Sequence, residues 1–281
     1  MNFAGNKLDY HPPWWLKNGL IMTVYAALRA SKTWQKTIQL KQPPYQAQIF
    51  NQADVPIFAW TAQPKNSCGT IIATYGITGE LDNQWFLQIL GRKAYAEGYD
   101  VILFDWRAHG KTAQLSPTLT SDGINEGKDF IAIAGEAKAK GFSPPFWLAG
   151  YSLGGQLALW GMYYSASDLA LNLGLNENDI AGCGVICPNL DANRSLPYLI
   201  NHPLGKYLEK AITKELKKLA TKIHSYHPAS IDLAALQRAE SIAGFDRELV
   251  ISSLGFPTLK SISSAISKAL FNDPNKAFIS R

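Results

Sequence analysis

The sequence predicts an α/β fold, in which a mostly parallel β-sheet is flanked by helices and carries a helical cap inserted after its sixth strand. Up to about residue 187, short β-branched and apolar runs alternate with stretches of helical periodicity. Several of these runs are continuously apolar, as in parallel strands that are buried on both faces. Beyond residue 188 only helical periodicity remains, and this predicts the cap.

The individual elements follow from the same patterns in chain order. The first two strands are separated by a short turn and are expected to pair antiparallel. The later strands are separated by helices, which implies parallel pairing with right-handed crossovers. The predicted strands are 46–50, 56–61, 70–75, 101–104, 146–150 and 182–187, and the predicted helices include 85–94, about 123–140 and one that ends near Tyr164.

A single domain is expected to contain all 281 residues, because 47% of them are hydrophobic and no low-complexity linker or repeat interrupts the chain. Its predicted parts are a core at 45–187, a helical cap at 188–270 and a truncated C-terminal part of the core at 271–281. Lysines crowd one face of a cap helix, and we interpret that face as solvated, with membrane docking as the alternative. The apolar stripe of the same helix is Leu208, Ile212, Leu216, Leu219 and Ile223.

Composition and charge narrow the function classes. The net charge of +5 is mild and no basic tract occurs, so no nucleic-acid partner is expected. Three cysteines argue against a disulfide framework and predict a reducing, cytoplasmic location. Cys183 and Cys187 fall on one face of a predicted strand, and we expect them to be buried thiols rather than metal ligands.

An apolar segment near the N-terminus, residues 20–28, is too short to cross a bilayer, which needs about 20 residues. Trp14 and Trp15 precede this segment, and Lys17 and Arg29 flank it. The favoured interpretation is a helix that packs on the surface of the protein itself. The alternative is peripheral contact with a membrane interface.

The most informative motif is Gly-Tyr-Ser-Leu-Gly at 150–154, which lies between a predicted strand and a predicted helix. A sharp turn from strand to helix crowds the backbone around Ser152, and glycines relieve that crowding because they lack a Cβ atom. The serine oxygen then lies at a helix N-terminus, where developing negative charge is favoured. This context predicts that Ser152 is a nucleophile.

A hydrolytic serine also needs a base and hydrogen-bond donors for the oxyanion that forms on the substrate. The backbone N–H of Leu153, directly after Ser152, is one predicted donor. The other is the backbone N–H of Ile77, in a turn that follows a neighbouring strand. Ligands bind at this edge of open α/β sheets, where the carboxyl ends of the strands meet.

Further motifs follow in a fixed order along the chain. They are Pro-Trp-Trp-Leu-Lys-Asn-Gly at 13–19, Tyr-Gly-Ile-Thr-Gly at 75–79, Arg-Ala-His-Gly at 107–110, Gly-Tyr-Ser-Leu-Gly-Gly at 150–155, Phe-Asp at 245–246 and Gly-Phe at 255–256. In these segments, between Tyr10 and about Phe256, the chain resembles the α/β-hydrolase superfamily and, within it, the YheT-like esterases. The resemblance implies a serine hydrolase that forms an acyl-enzyme and cleaves a small-molecule carboxylic ester with an apolar or acyl moiety. It implies no cofactor and no metal.

The remaining members of a catalytic triad are less well matched. The resemblance makes Asp273, in Asn272-Asp273-Pro274, the candidate acid, and Asp191 is an alternative. No histidine follows His227, so the C-terminal segment that carries the catalytic histidine in this family is expected to be lacking. A histidine from the cap is the alternative base.

Two positions near the oxyanion turn also bear on the site. Tyr75 stands where the family has a histidine, a change that leaves the N–H groups of the turn in place. His109 lies in a loop where the family has a structural histidine, and we expect that role here.

Two functions are therefore kept open. The first is an ester hydrolase that acts through Ser152. The alternative is a catalytically incomplete homologue that binds a ligand or partner in the same cleft. If the sheet ends early, its edge strand is left uncovered near 183–187, and this predicts self-association.

Overall fold

The computed structural model describes residues 11–203 and 205–254. The chain divides after Lys41 into two compact units. The N-terminal unit contains a 3₁₀ turn at Trp14–Leu16, helix α1 (Gly19–Tyr25), a π-helical turn at Ala26–Ala30 and helix α2 (Ser31–Thr37). None of the helices among the described residues combines the length and apolar character that crossing a bilayer requires.

A six-stranded sheet forms the centre of the second unit. Its strands are β1 (Gln46–Phe50), β2 (Ile57–Ala62), β3 (Thr70–Thr74), β4 (Asp100–Phe104), β5 (Phe146–Tyr151) and β6 (Ile180–Ile186). The order across the sheet is β1-β2-β4-β3-β5-β6. β1 pairs antiparallel with β2, and β2 with β4, whereas the pairs β3–β4, β3–β5 and β5–β6 are parallel. The predicted α/β fold is thus confirmed.

Helices separate the parallel strands and continue after β6. Those between strands are α3 (Trp85–Ala96), α4 (Thr112–Leu115), α5 (Ile124–Ala139), α6 (Leu153–Ser165) and α7 (Asp168–Asn172). After β6 come α8 (Ala192–Asn201), α9 (Gly205–Tyr226), α10 (Leu233–Arg238), α11 (Ile242–Phe245), a π-helical turn at Asp246–Val250 and α12 (Ile251–Leu254). We call residues 192–254 the helical segment.

Three apolar clusters stabilise the second unit. The largest surrounds the sheet and includes Val101–Phe104 of β4. The second lies mainly in the helical segment, and the third joins Trp160 of α6 to Ile251. Of the apolar stripe predicted on α9, Leu216 and Ile223 are buried in the second cluster and Ile212 and Leu219 pack against it, whereas Leu208 is 46% exposed.

The prediction that Cys183 and Cys187 are both buried is wrong. Cys187 is exposed and Cys183 is only partly buried. β6 ends at Ile186, and Cys187 has a φ of 49° in the left-handed region, so the alternation of a strand does not extend to it. Its side chain instead lines a cavity.

The described sheet ends at β6, which pairs only with β5 among the described strands. Ile186 is 58% exposed on this strand. The predicted self-association through this edge stays a prediction.

Candidate active site

Ser152 lies at the junction of β5 and α6, in a backbone conformation that L-residues rarely adopt. Its φ is 54° and its ψ is −129°. Such strain costs about 1–3 kcal/mol and persists only where the surrounding structure holds it. Here the Ser152 N–H donates to the carbonyl oxygen of Ile186 at 2.8 Å, and the side chain is exposed to a cavity. The turn therefore displays the Ser152 hydroxyl instead of burying it.

Two glycines allow the end of β3 to approach this turn closely. A Cβ atom on Gly154 would lie 2.7 Å from the carbonyl carbon of Tyr75, and nearer still to its oxygen. A Cβ atom on Gly76 would lie 2.9 Å from the Cβ of Ser152. Real Cβ atoms do not approach other atoms so closely. Glycine at both positions thus brings the turn after β3 against Ser152.

The predicted oxyanion donors, Ile77 and Leu153, both line the same cavity as Ser152. Neither backbone N–H has a hydrogen-bond acceptor among the described residues. Leu153 is the first residue of α6, so its N–H is one of the groups that a helix leaves unpaired at its N-terminus. Two unpaired N–H groups beside a serine hydroxyl are suited to bind an oxyanion.

His109 holds the turn that carries Ile77. Its Nε2 accepts a hydrogen bond from the Thr78 N–H at 3.0 Å, and its Nδ1 lies 2.9 Å from the carbonyl oxygen of Arg107. The ring is therefore neutral, with its proton on Nδ1. Burial lowers the pKa of His109 to about 4, against the opposing effect of the Arg107 carbonyl. His109 is a positioning residue for the turn.

Tyr75, which departs from the family pattern, connects the turn after β3 to the loop after β4. Its hydroxyl donates to the carboxylate of Asp105. Asp105 also accepts the backbone N–H groups of Leu81 at 3.0 Å and Lys111 at 2.8 Å. The tyrosine thereby ties the end of β3 to the loop after β4.

Replacing His109 with glutamine should make the free energy of unfolding less dependent on pH in the acid range. In the unfolded chain the histidine pKa is about 6.5, whereas it is about 4 in the folded protein. Between these values the unfolded chain binds an extra proton, so stability is lost as the pH falls. Between pH 7.5 and pH 4.5, we expect the His109→Gln variant to lose about 2–3 kcal/mol less stability than the unaltered chain.

Urea unfolding of both proteins at pH 7.5 and pH 4.5 measures this difference. His202→Gln, which replaces an exposed histidine in the same way, is the matched control. Equal pH dependence in His109→Gln and the unaltered chain would contradict the assignment of a neutral, buried imidazole.

The cavity has a volume of about 820 Å³, and its wall combines the sheet edge with the helical segment. Ile77, Ser152 and Leu153 come from the sheet side, and Ile212, Ile242 and Asp246 come from the helical segment. Drug-sized ligands occupy cavities of about 300–1,000 Å³.

The other predicted site residues are not brought to this cavity. Asp273 lies outside the described residues. Asp191 accepts the Arg194 N–H at 3.2 Å and caps α8, and it is absent from the cavity wall. Between residues 11 and 254, leaving out residue 204, no histidine lines the cavity. Within the same ranges, no group of three histidine, cysteine or acidic residues is arranged to hold a metal ion.

Two acidic residues to which the sequence motifs assign no role, Asp122 and Asp246, also line the cavity. They lie far apart in the chain, and no spacing rule connects them. The one signal in the sequence is the Phe245-Asp246 pair, a segment that matches the family pattern.

Both the sequence and the structure of this chain resemble known proteins. The family model described as the alpha/beta hydrolase family matches residues 82–250. A protein of Synechocystis sp., named as a candidate esterase, is 48% identical over 268 residues, which cover 92% of this chain and 73% of that relative.

Solved structures resemble the chain more distantly. A soluble variant of monoglyceride lipase from Saccharomyces cerevisiae, in complex with a substrate analogue, is 20% identical with a TM-score of 0.41. The match covers 61% of this chain and 54% of the lipase, so the chain spans about half the length of that protein. A Pyrococcus furiosus esterase is 20% identical with a TM-score of 0.45, over 67% of this chain and 72% of that one.

Proposed function

The chain belongs to the α/β-hydrolase family, and within that family we propose that it is a serine esterase whose nucleophile is Ser152. The observation that carries the proposal is the position of Ser152, on a strained turn that faces a cavity beside two unpaired N–H groups. The name of the Synechocystis relative supports an ester as the class of substrate.

In the proposed reaction, the Ser152 Oγ attacks the carbonyl carbon of the ester as its proton passes to a base. The N–H groups of Ile77 and Leu153 donate to the oxyanion that forms. Removal of one such donor typically lowers the rate about 100- to 1000-fold. The alcohol leaves with a proton, and water then hydrolyses the acyl-enzyme and restores the Ser152 hydroxyl.

The turn would need no rearrangement to perform this step. His109 fixes Thr78, and the contact between Gly154 and the end of β3 fixes the distance between the turn and the serine. Donors that are already oriented cost no reorganisation as charge develops, which is why such groups are effective in catalysis. Asp273 stays the proposed acid of the triad.

A fluorophosphonate probe tests the proposal directly, because it phosphonylates an activated serine. Incubated with the full chain, it should add one group per molecule, and peptide mapping should place that group on Ser152. The Ser152→Ala variant should take up none. Ser195, which lines the same cavity, is an internal control for mere access.

An adduct on Ser195, or no adduct on Ser152, would overturn the proposal. The second outcome would favour the catalytically incomplete homologue, which keeps the cavity and has lost the reaction.

Contact with a membrane surface through residues 14–32 stays a separate prediction. Trp14 is 83% exposed and Leu28 is 63% exposed, so apolar side chains of the N-terminal unit face outward. Amphipathic helices with aromatic side chains and flanking basic residues bind interfaces in this way.

A further inference from the structure

One part of the cavity wall consists of hydrogen-bond acceptors for which the described residues supply no donor. The carboxyl groups of Asp122 and Asp246 both line the cavity, and their charges act on each other. No donor among the described residues makes a hydrogen bond to either side chain, and neither forms an ion pair there. Paired carboxyl groups next to an open space usually indicate a positively charged or hydrogen-bond-donating occupant.

The position of Asp122 is fixed by the turn that precedes α5. Asp122 itself has a φ of 53°, in the left-handed region. The buried Glu126 carboxylate accepts the N–H groups of Ser121 at 2.9 Å and Gly123 at 3.0 Å, on either side of Asp122. The Nε2 of Gln156 donates to the Asp122 carbonyl oxygen at 2.8 Å. Asp122 therefore belongs to a built wall and not to a loose surface loop.

Gln156 supplies an independent observation. Gln156 is only 3% exposed, and its Oε1 is buried and has no hydrogen-bond partner among residues 11–203 and 205–254. The bond from Nε2 to the Asp122 carbonyl fixes which way the amide faces, and the residue lines the cavity. A buried acceptor that lacks a donor destabilises the protein, so native proteins usually satisfy it. A ligand donor in the cavity would do so here.

We propose that Asp122, Asp246 and the Oε1 of Gln156 bind a protonated amine carried by the ester substrate. The proposal rests on the proposed esterase function, and it names the class of substrate for that reaction. An ammonium group supplies the positive charge that the two carboxyl groups lack and an N–H donor for the amide oxygen. A neutral alcohol could satisfy Gln156 but would leave the carboxyl charges uncompensated.

The pKa directions of the two carboxyl groups agree with this proposal. Burial, together with the neighbouring Glu126, raises the pKa of Asp122 to about 6. Burial and the charge of Asp122 raise the pKa of Asp246 well above its usual range. Arg194 also lines the cavity but forms no ion pair with either residue among the described parts of the chain. A bound ammonium would take the place of the proton that the pair retains.

Calorimetric titration of the full chain with hexylammonium and with 1-hexanol tests the proposal. The two probes share an alkyl chain and differ in the charged head group. We expect hexylammonium to bind at least about tenfold more tightly than 1-hexanol at pH 7.5, a difference that corresponds to one decade in Kd. At pH 5.0, below the pKa of about 6 that burial gives Asp122, this preference should shrink.

Asp122→Asn and Asp246→Asn should each reduce the affinity for hexylammonium about tenfold and leave that for 1-hexanol unchanged. Glu240→Gln is the matched control, since it removes an exposed carboxyl group of the helical segment that does not line this cavity. Equal affinities for the two probes would overturn the proposal, and so would an equal loss in the Glu240 variant. Calcium binding that Asp246→Asn abolishes, without an amine preference, would identify a metal site instead.

These outcomes separate the ligand from the reaction. Fluorophosphonate labelling of Ser152 without amine preference would keep the esterase and overturn the amine subsite. An amine preference without labelling would keep the ligand class of the cavity and overturn the esterase.

Discussion

Adding a single methyl group at Gly154 should destabilise the folded protein by about 3 kcal/mol or more. Inserting extra atoms into a packed site typically costs about 1–3 kcal/mol when side chains can move aside. At Gly154 the new Cβ would meet the Tyr75 backbone, 2.7 Å from its carbonyl carbon. Because Tyr75 directly follows the central strand β3, and the Thr74 oxygen of that strand would also be only 3.0 Å from the new Cβ, the backbone there cannot move without disturbing the sheet.

Gly155→Ala is the matched control for this substitution. Its nearest neighbours would be the Gly150 oxygen and the Pro188 Cβ, both 3.2 Å away. These distances require shifts of only a few tenths of an ångström, and alanine favours the helix by about 1 kcal/mol over glycine. The melting temperatures of the two adjacent alanine variants should therefore differ by several degrees, and urea unfolding should rank their stabilities in the same order. A Gly154→Ala protein as stable as the unaltered chain would show that the approach of the two backbones is looser than described.

The second large effect is expected at Arg107, whose guanidinium makes two hydrogen bonds to Asp129, each of 2.6 Å. Both side chains are almost completely buried, at 3% and 1% exposure. Removing one member of such a pair typically costs about 3–5 kcal/mol, because the other charge is left buried and alone. Arg107→Met should therefore destabilise the protein by an amount in this range.

The double variant Arg107→Met, Asp129→Leu separates two explanations of that loss. If the cost arises from the abandoned charge, removal of the second charge should recover much of the stability, since apolar pairs often replace buried ion pairs without loss. Urea unfolding at pH 7.5 gives the three free energies of unfolding. A double variant that is no more stable than Arg107→Met alone would show that the charge left behind does not account for the loss.

Local pattern was sufficient to predict the sheet. The run Val101–Phe104 is apolar at every position, and it became the fully buried strand β4. The helix predicted over about 123–140 became α5. These elements were predictable because burial on both faces of a parallel sheet imposes a composition that short segments display by themselves.

Tertiary arrangement decided what local pattern missed. Cys187 has strand-like spacing from Cys183, yet the chain turns one residue earlier and exposes it. Asp122 and Asp246 line one cavity because the helical segment and the turn before α5 both contribute to its wall, and no sequence spacing connects the two residues. The motif around Ser152 was visible in advance because its chemistry requires neighbouring residues.

The packing of the cavity wall has a consequence for how this protein can evolve. Ile77, which carries one of the two proposed oxyanion donors, packs against the same apolar cluster as Ile212 and Ile242 of the helical segment. Substitutions at Ile212 or Ile242 would therefore reshape one wall of the cavity and also change the packing of Ile77. Selection for a new range of molecules that enter the cavity is thus coupled to selection on the turn after β3.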